Sequence, residues 1–306
     1  MSWRKLYPFT PKRHTTAEGL GMSYVDEGTG EAVVMLHGNP TWSFIFRDLI
    51  QAAAAAGWRA LAPDLIGCGL SDKPQDWPYH LEDHIRVVEN WLENDLRVSR
   101  VNLVLHDWGG GVGMGYAVRH PEKIGKIVLM NTGAYLSDDC PRRIALCRCP
   151  GLGSFLVRGL NGFVEAAIRM APATRLPSAV RAGYRHPYGN WHDRIANLRF
   201  VQDIPLRPSH PTWSTLAAIG EQLPLLADKP ILMCWGEQDF CFNMRFLARW
   251  REIYPHAEVK TWPEASHYLL EDAGAEIIPE IVAFLQKQLQ QSRDGSICNM
   301  TDSRPV

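Results

Sequence analysis

The sequence contains no apolar run approaching the roughly 18–20 residues that a membrane-spanning helix requires. The run Ala52 to Ala56 is short and falls where an ordinary helix is expected. Arg4 and Lys5 lead to Pro8 and Pro11 without an apolar stretch between them, so no secretory leader is expected. Blocks of like charge are missing, and the formal net charge is −1. That argues against nucleic acid or an anionic membrane as the main partner, because both draw on clustered Lys and Arg. Paired C-x-x-C sets are also lacking. The seven cysteines (Cys68, Cys140, Cys147, Cys149, Cys234, Cys241 and Cys298) are odd in number and scattered, which fits passive thiols in a reducing compartment. Cys147 and Cys149 flank Arg148 too closely to make two good zinc ligands on a helix. A soluble cytoplasmic protein with no metal and no cofactor is the expectation.

What is present is a sizeable core: 306 residues, 46% hydrophobic and 10% aromatic, enough for one large domain with an insertion or for two ordinary domains. Ala32 to Leu36 is a Val-rich run ending in His37-Gly38 and reads as a buried strand before a tight turn. Phe44 to Ala56 has helical spacing and stops at Gly57. Strands are predicted at Arg59–Ala62, Val101–Leu105 and Ile124–Met130, with helices at His84–Asp95 and Gly111–Arg119 between them. This alternation predicts a doubly wound, mostly parallel sheet covered on both faces.

After Asn131 the rhythm breaks. From about Tyr135 to Leu223 the apolar segments are helical, such as Leu156 to Met170, and are interrupted by Pro150, Pro172 and Pro177. It resumes with a strand at Ile231–Trp235, a helix at Asn243–Ile253, a strand near Glu258–Thr261 and a closing helix at Leu269–Gln288. The expected organisation is therefore a core of residues 1–134 and 222–291, a helical cap of residues 135–221, and a loose tail of residues 292–306.

The chemistry concentrates where strands end. Val101–Leu105 runs into His106-Asp107-Trp108-Gly109-Gly110 and then a helix, the layout of a nucleophile elbow. Small residues must follow the nucleophile so that strand and helix pack closely, and Gly109, Gly110 and Gly111 supply them. The usual motif also has Gly two residues before the nucleophile, where this chain has Leu105. No G-x-G-x-x-G register fits Gly109 to Gly115, so a dinucleotide site is not indicated. Asp239 falls in the loop after Ile231–Trp235, in competition with Asp138 and Asp139 after the preceding strand. His267 follows the last strand. The order nucleophile, acid, histidine is the one this fold uses, and the carboxyl edge of such a sheet is where ligands bind. Asn39 and Trp108 are placed to offer two oxyanion-hole amides.

These segments (HGNPTWSF from His37, DLIGCGLSDKP from Asp64, HDWGG from His106, WGEQDF from Trp235 and EASHYLLED from Glu264) resemble the aspartate-nucleophile branch of the α/β-hydrolases, above all the haloalkane dehalogenases. The cap segment PYGNWHDRIANLRFVQDIPL from Pro187 resembles the third dehalogenase subfamily, which shades into the β-lactone decarboxylases of long-chain olefin synthesis. The resemblance covers nearly the whole chain except its ends. It implies an α/β-hydrolase fold with a helical cap, a small apolar substrate, and Asp107 attacking an sp³ carbon to leave an alkyl ester. His267 then activates water against that ester, Asp239 orients His267, and the amides of Asn39 and Trp108 stabilise the oxyanion. It further implies that the side-chain N–H groups of Asn39 and Trp108 clamp a halide ion, and that the protein forms homo-oligomers.

Haloalkane hydrolysis is the leading reading. A β-lactone decarboxylase would use the same three residues, and HGNP and HDWGG do not separate the two. An epoxide hydrolase would need cap tyrosines, for which Tyr135, Tyr184 and Tyr188 are available, but usually carries an aromatic residue where this chain has Asn39. A catalytically silent binding protein would have no need of a complete triad.

Overall fold

The computed structural model describes the backbone of residues 2–294 and the side chains of residues 2–287. Eight strands form one sheet in the order β1-β2-β4-β3-β5-β6-β7-β8. They span Lys12–Thr15 (β1), Gly21–Glu27 (β2), Ala32–Leu36 (β3), Arg59–Pro63 (β4), Val101–Asp107 (β5), Ile124–Thr132 (β6), Ile231–Gly236 (β7) and Glu258–Trp262 (β8). From β4 onward across the sheet all neighbours are parallel, whereas β1 and β2 are antiparallel additions at one edge.

The central strands are apolar throughout because both faces are covered. Val34, Leu36, Leu103, Leu105, Ile127 and Leu129 pack into one buried cluster. Their alternates Val33, Met35, Val104, Val128 and Met130 pack into another on the opposite face, as the two-residue period of a strand dictates.

Helices α1 (Arg47–Ala55), α2 (Leu81–Asn90), α3 (Trp108–Arg119), α10 (Met244–Ile253) and α11 (Leu269–Asp294) accompany the strands. Between β6 and β7 lie only helices: α4 (Arg142–Cys147), α5 (Leu152–Ser154), α6 (Gly162–Met170), α7 (Ser178–Arg185), α8 (Ile195–Gln202) and α9 (Pro211–Gln222). The helix expected over Leu156–Met170 is broken at Asn161, whose φ of 55° is left-handed, and a wider turn at Phe155–Gly159 precedes it. Helix α2 begins three residues earlier than expected, at Leu81, because the Asp203 carboxylate accepts the Leu81 N–H at 2.9 Å and Asp83 accepts that of His80 at 3.0 Å; such contacts satisfy donors a helix start leaves free. The closing helix runs on to Asp294, so the first three residues of the expected tail are helical; the rest of that tail, with Cys298, lies outside the described residues. The other six cysteines are free thiols.

Candidate active site

The turn from β5 to α3 places Asp107 at φ 53° and ψ −129°, a strained conformation for a residue with a side chain. Two glycines make that turn possible. A Cβ on Gly109 would collide with the carbonyl oxygen of Leu36, so the elbow can sit against β3 only without one. Leu105, which stands where a glycine was expected, is accommodated because its side chain fills the space left by Gly113 on α3.

Asp107 is buried with one oxygen fully engaged. Its Oδ1 accepts the backbone N–H groups of Asn39 at 2.8 Å and Trp108 at 2.7 Å. The Asn39 amide is aimed there by the loop after β3, which His37 braces: its Nδ1–H donates to the Gly38 carbonyl and its Nε2 accepts from Leu65 N–H at 3.0 Å. The other oxygen, Oδ2, lies 3.4 Å from Nε2 of His267. Nδ1–H of His267 donates to Oδ2 of Asp239 at 2.8 Å. Phe242 stacks on the imidazole at 5.9 Å between centroids.

The charges of this trio are mutually supportive. Burial works against a charged His267, but Asp239 and Asp107 outweigh it and raise the pKa to about 10. Burial likewise works against ionised Asp107, yet His267 and the amide donors bring its carboxyl below the ordinary value. His106 is held neutral beneath them: burial, then the His267 charge, lower its pKa to about 4. Its Nε2–H donates to the His267 carbonyl at 2.8 Å, a supporting contact that fits the packing role expected for it.

All five candidate residues are thus brought together. Of the two rivals for the acid, Asp138 is exposed and Asp139 pairs with Arg245, so neither reaches His267. One residue escaped sequence reasoning. Asn131, at the end of β6 with φ 37°, donates from Nδ2 to Asp239 Oδ2 at 2.9 Å and accepts the Gly236 N–H at 2.8 Å. It locks Asp239 to β7, and an asparagine at a strand end is too common to have signalled it.

Above the trio is a cavity of about 240 Å³. Asn39, Asp107, Trp108 and His267 form its polar floor, and Phe163, Met170, Val201, Ile204, Leu216 and Phe240 form much of the rest. Such a lining suits an apolar substrate with one reactive polar end. The Asn39 side chain directs one N–H to the Asn197 carbonyl at 3.1 Å, tying the floor to α8. The three tyrosines between β6 and β7 that epoxide chemistry would need have their hydroxyls engaged elsewhere: Tyr135 with the Phe246 carbonyl, Tyr184 with Glu271 and Tyr188 with the Thr41 carbonyl.

Among the described residues no helix is long and apolar enough to cross a membrane. Residues 31–274 match the alpha/beta hydrolase fold family. The chain is 44% identical over 290 residues to a cis-3-alkyl-4-alkyloxetan-2-one decarboxylase of Shewanella oneidensis, covering 92% of this chain and 89% of that one. It is 32% identical over 284 residues to haloalkane dehalogenase 2 of Mycobacterium tuberculosis, covering 91% and 96%. Among solved structures, the haloalkane dehalogenase DatA from Agrobacterium tumefaciens C58 superposes with a TM-score of 0.81 at 28% identity, covering 90% of this chain and 97% of that one. Both readings that the motifs left open are represented among these relatives.

Proposed function

The chain belongs to the α/β-hydrolase fold family, and from that premise we propose that it is a β-lactone decarboxylase that converts cis-3,4-dialkyl oxetan-2-ones into cis-alkenes and carbon dioxide. The observation that carries this reading is the 44% identity to an oxetanone decarboxylase against 32% to a haloalkane dehalogenase, over nearly the same span. The mostly apolar lining of the cavity supports it, because two alkyl chains need apolar walls and only the strained ring needs chemistry.

In this reading Asp107 is the nucleophile. Its Oδ1 is held by two amides, so Oδ2 attacks ring carbon C4 from the face opposite the ring oxygen. The Oδ2–C4 bond forms as the C4–O bond breaks, and the electron pair stays on the released carboxylate. The bond from C3 to that carboxylate then breaks. Its electrons form the C3=C4 double bond, Asp107 departs with the C4–Oδ2 pair, and carbon dioxide leaves. Inversion followed by anti elimination turns a cis ring into a cis alkene. No water is consumed. His267, cationic at neutral pH, stabilises the carboxylates at each stage and Asp239 holds it in place. The amides of Asn39 and Trp108 hold the ester carbonyl oxygen between the two steps.

The same reading takes residues 135–221 as the cap over a core of residues 1–134 and 222–291, and places the protein in the cytoplasm as a homo-oligomer; free thiols support the compartment. Haloalkane hydrolysis is the second reading, favoured by the 0.81 superposition on a dehalogenase. There Trp108 and the remaining Asn39 N–H would bind a halide ion, and His267 would activate water once Asp107 is esterified. Purified protein incubated with a cis-dialkyl β-lactone, and separately with 1,2-dibromoethane, distinguishes the two. Alkene without bromide is expected; bromide without alkene would reverse the assignment.

A further inference from the structure

The near-zero net charge conceals a segregated distribution. Residues 135–221 carry eleven arginines, no lysine and six acidic residues, which leaves the remainder of the chain at −6. Among the described residues only two of the eleven, Arg169 and Arg185, lie within ion-pair distance of a carboxylate, and both share Glu165. The other nine have no carboxylate partner among the described residues, although Arg148, Arg158 and Arg194 donate to backbone carbonyls.

The same segment exposes large apolar side chains. Phe155 is 57% and Leu160 58% exposed, with Leu146, Leu152 and Trp191 close behind. Phe155, Trp191 and their neighbours form a patch: the rings of Phe155 and Trp191 both border Gly159, which Leu160 follows, Leu152 lies one turn before Phe155, and the Arg158 guanidinium covers the Trp191 ring at 4.6 Å. Folded chains seldom leave such a cluster uncovered unless it meets something. The elements that carry the patch also line the cavity, through Ile144 and Cys147 of α4 and through Gly162 and Phe163 just after Leu160.

We infer that this face of the cap docks on an anionic phospholipid bilayer. Aromatic and aliphatic side chains would enter the interfacial layer while arginines without a carboxylate partner, exposed Arg142 among them, meet lipid phosphates. A protein partner would need matching acids; a bilayer with anionic headgroups offers charge of the required sign together with apolar depth. The wall of the cavity then lies next to the phase in which long-chain compounds partition. The docking itself does not depend on which substrate the cavity takes.

The test is co-sedimentation of the full chain with vesicles of phosphatidylcholine alone and of phosphatidylcholine mixed with phosphatidylglycerol. Wild type is expected to sediment with the mixed vesicles, and to be released by high salt. Leu152→Ser/Phe155→Ser/Leu160→Ser should weaken partitioning by more than about tenfold, and Arg142→Glu by about fivefold or more. Both variants should keep the wild-type melting temperature and, whatever the substrate proves to be, the wild-type turnover of a short soluble one. Should the triple variant fold poorly, Arg142→Glu and the salt dependence decide. Absence of sedimentation, equal sedimentation with both vesicle types, or variants that bind as wild type would overturn the inference. So would light scattering that shows a dimer which the triple variant dissociates. Failure of the lactone assay would leave the sedimentation result standing, so the two readings fail separately.

Discussion

Asp107 presents one oxygen to the imidazole of His267, Oδ2 at 3.4 Å from Nε2, while its other oxygen is taken by two backbone amides. That division of labour within one carboxylate follows from a strained turn, and most of the testable consequences come from it.

Replacing Asp107 with Asn keeps the shape and removes the nucleophile, since a neutral carboxamide oxygen is too weak a nucleophile to displace the ring carboxylate from C4. Turnover should fall by about 10⁴-fold or more, as for loss of other nucleophiles, with little change in fold. Steady-state rates and a thermal melt check both halves of this expectation.

The raised pKa of His267 sets a pH window. The imidazolium is present below about 10, so the rate on free enzyme should be flat through neutrality and fall as pH rises through that value. Stability follows the same sign: a group whose folded pKa lies above its unfolded value stabilises fully below the unfolded value near 6.5, and that contribution is lost as pH climbs through about 10. The Asp107 contribution runs the other way, present above the unfolded carboxyl value and lost as acid protonates it. A pH–rate profile with its inflection near 6.5 would contradict this account.

Asn131 should act through Asp239. Asn131→Ala removes a hydrogen bond to a buried carboxylate and the acceptor for the Gly236 N–H. The cost should be about 1–3 kcal/mol of stability, and kcat should drop roughly 10- to 100-fold, with KM little changed. Chemical denaturation and saturation kinetics measure these separately.

Leu105 and Gly113 should behave as a coupled pair. Gly113→Ala puts a methyl group into the Leu105 side chain and should destabilise by about 1–3 kcal/mol through overpacking. In a Leu105→Ala background the same substitution should cost much less. A double-mutant cycle that gives simple additivity would refute the pairing.

How much of this was legible in the sequence follows burial. Strands β3, β5, β6 and β7 were readable because both their faces are buried and their residues are apolar without interruption. Strands β1 and β2 were not: β1, at the edge, buries only His14 of its four residues, and β2, though buried over its first five residues, has glycine and serine there in place of an apolar run. Asp107 and Asp239 were findable because they end or follow such strands, and His267 because it follows β8, expected near Glu258–Thr261 although that strand is largely exposed. Asn131 acts by contacts made across the sheet, and the break at Asn161 depends on a left-handed residue inside an otherwise helical pattern. The positive charge of residues 135–221 was present in the sequence but hidden in an overall balance near zero.

The most direct test of the central claim is turnover of a cis-dialkyl β-lactone in ¹⁸O-labelled water, with mass analysis of both the product and the peptide that contains Asp107. Water-free decarboxylation predicts a cis-alkene and no ¹⁸O in Asp107 after many turnovers. A β-hydroxy acid accompanied by ¹⁸O in Asp107 would show that the ester is hydrolysed, and would contradict the account.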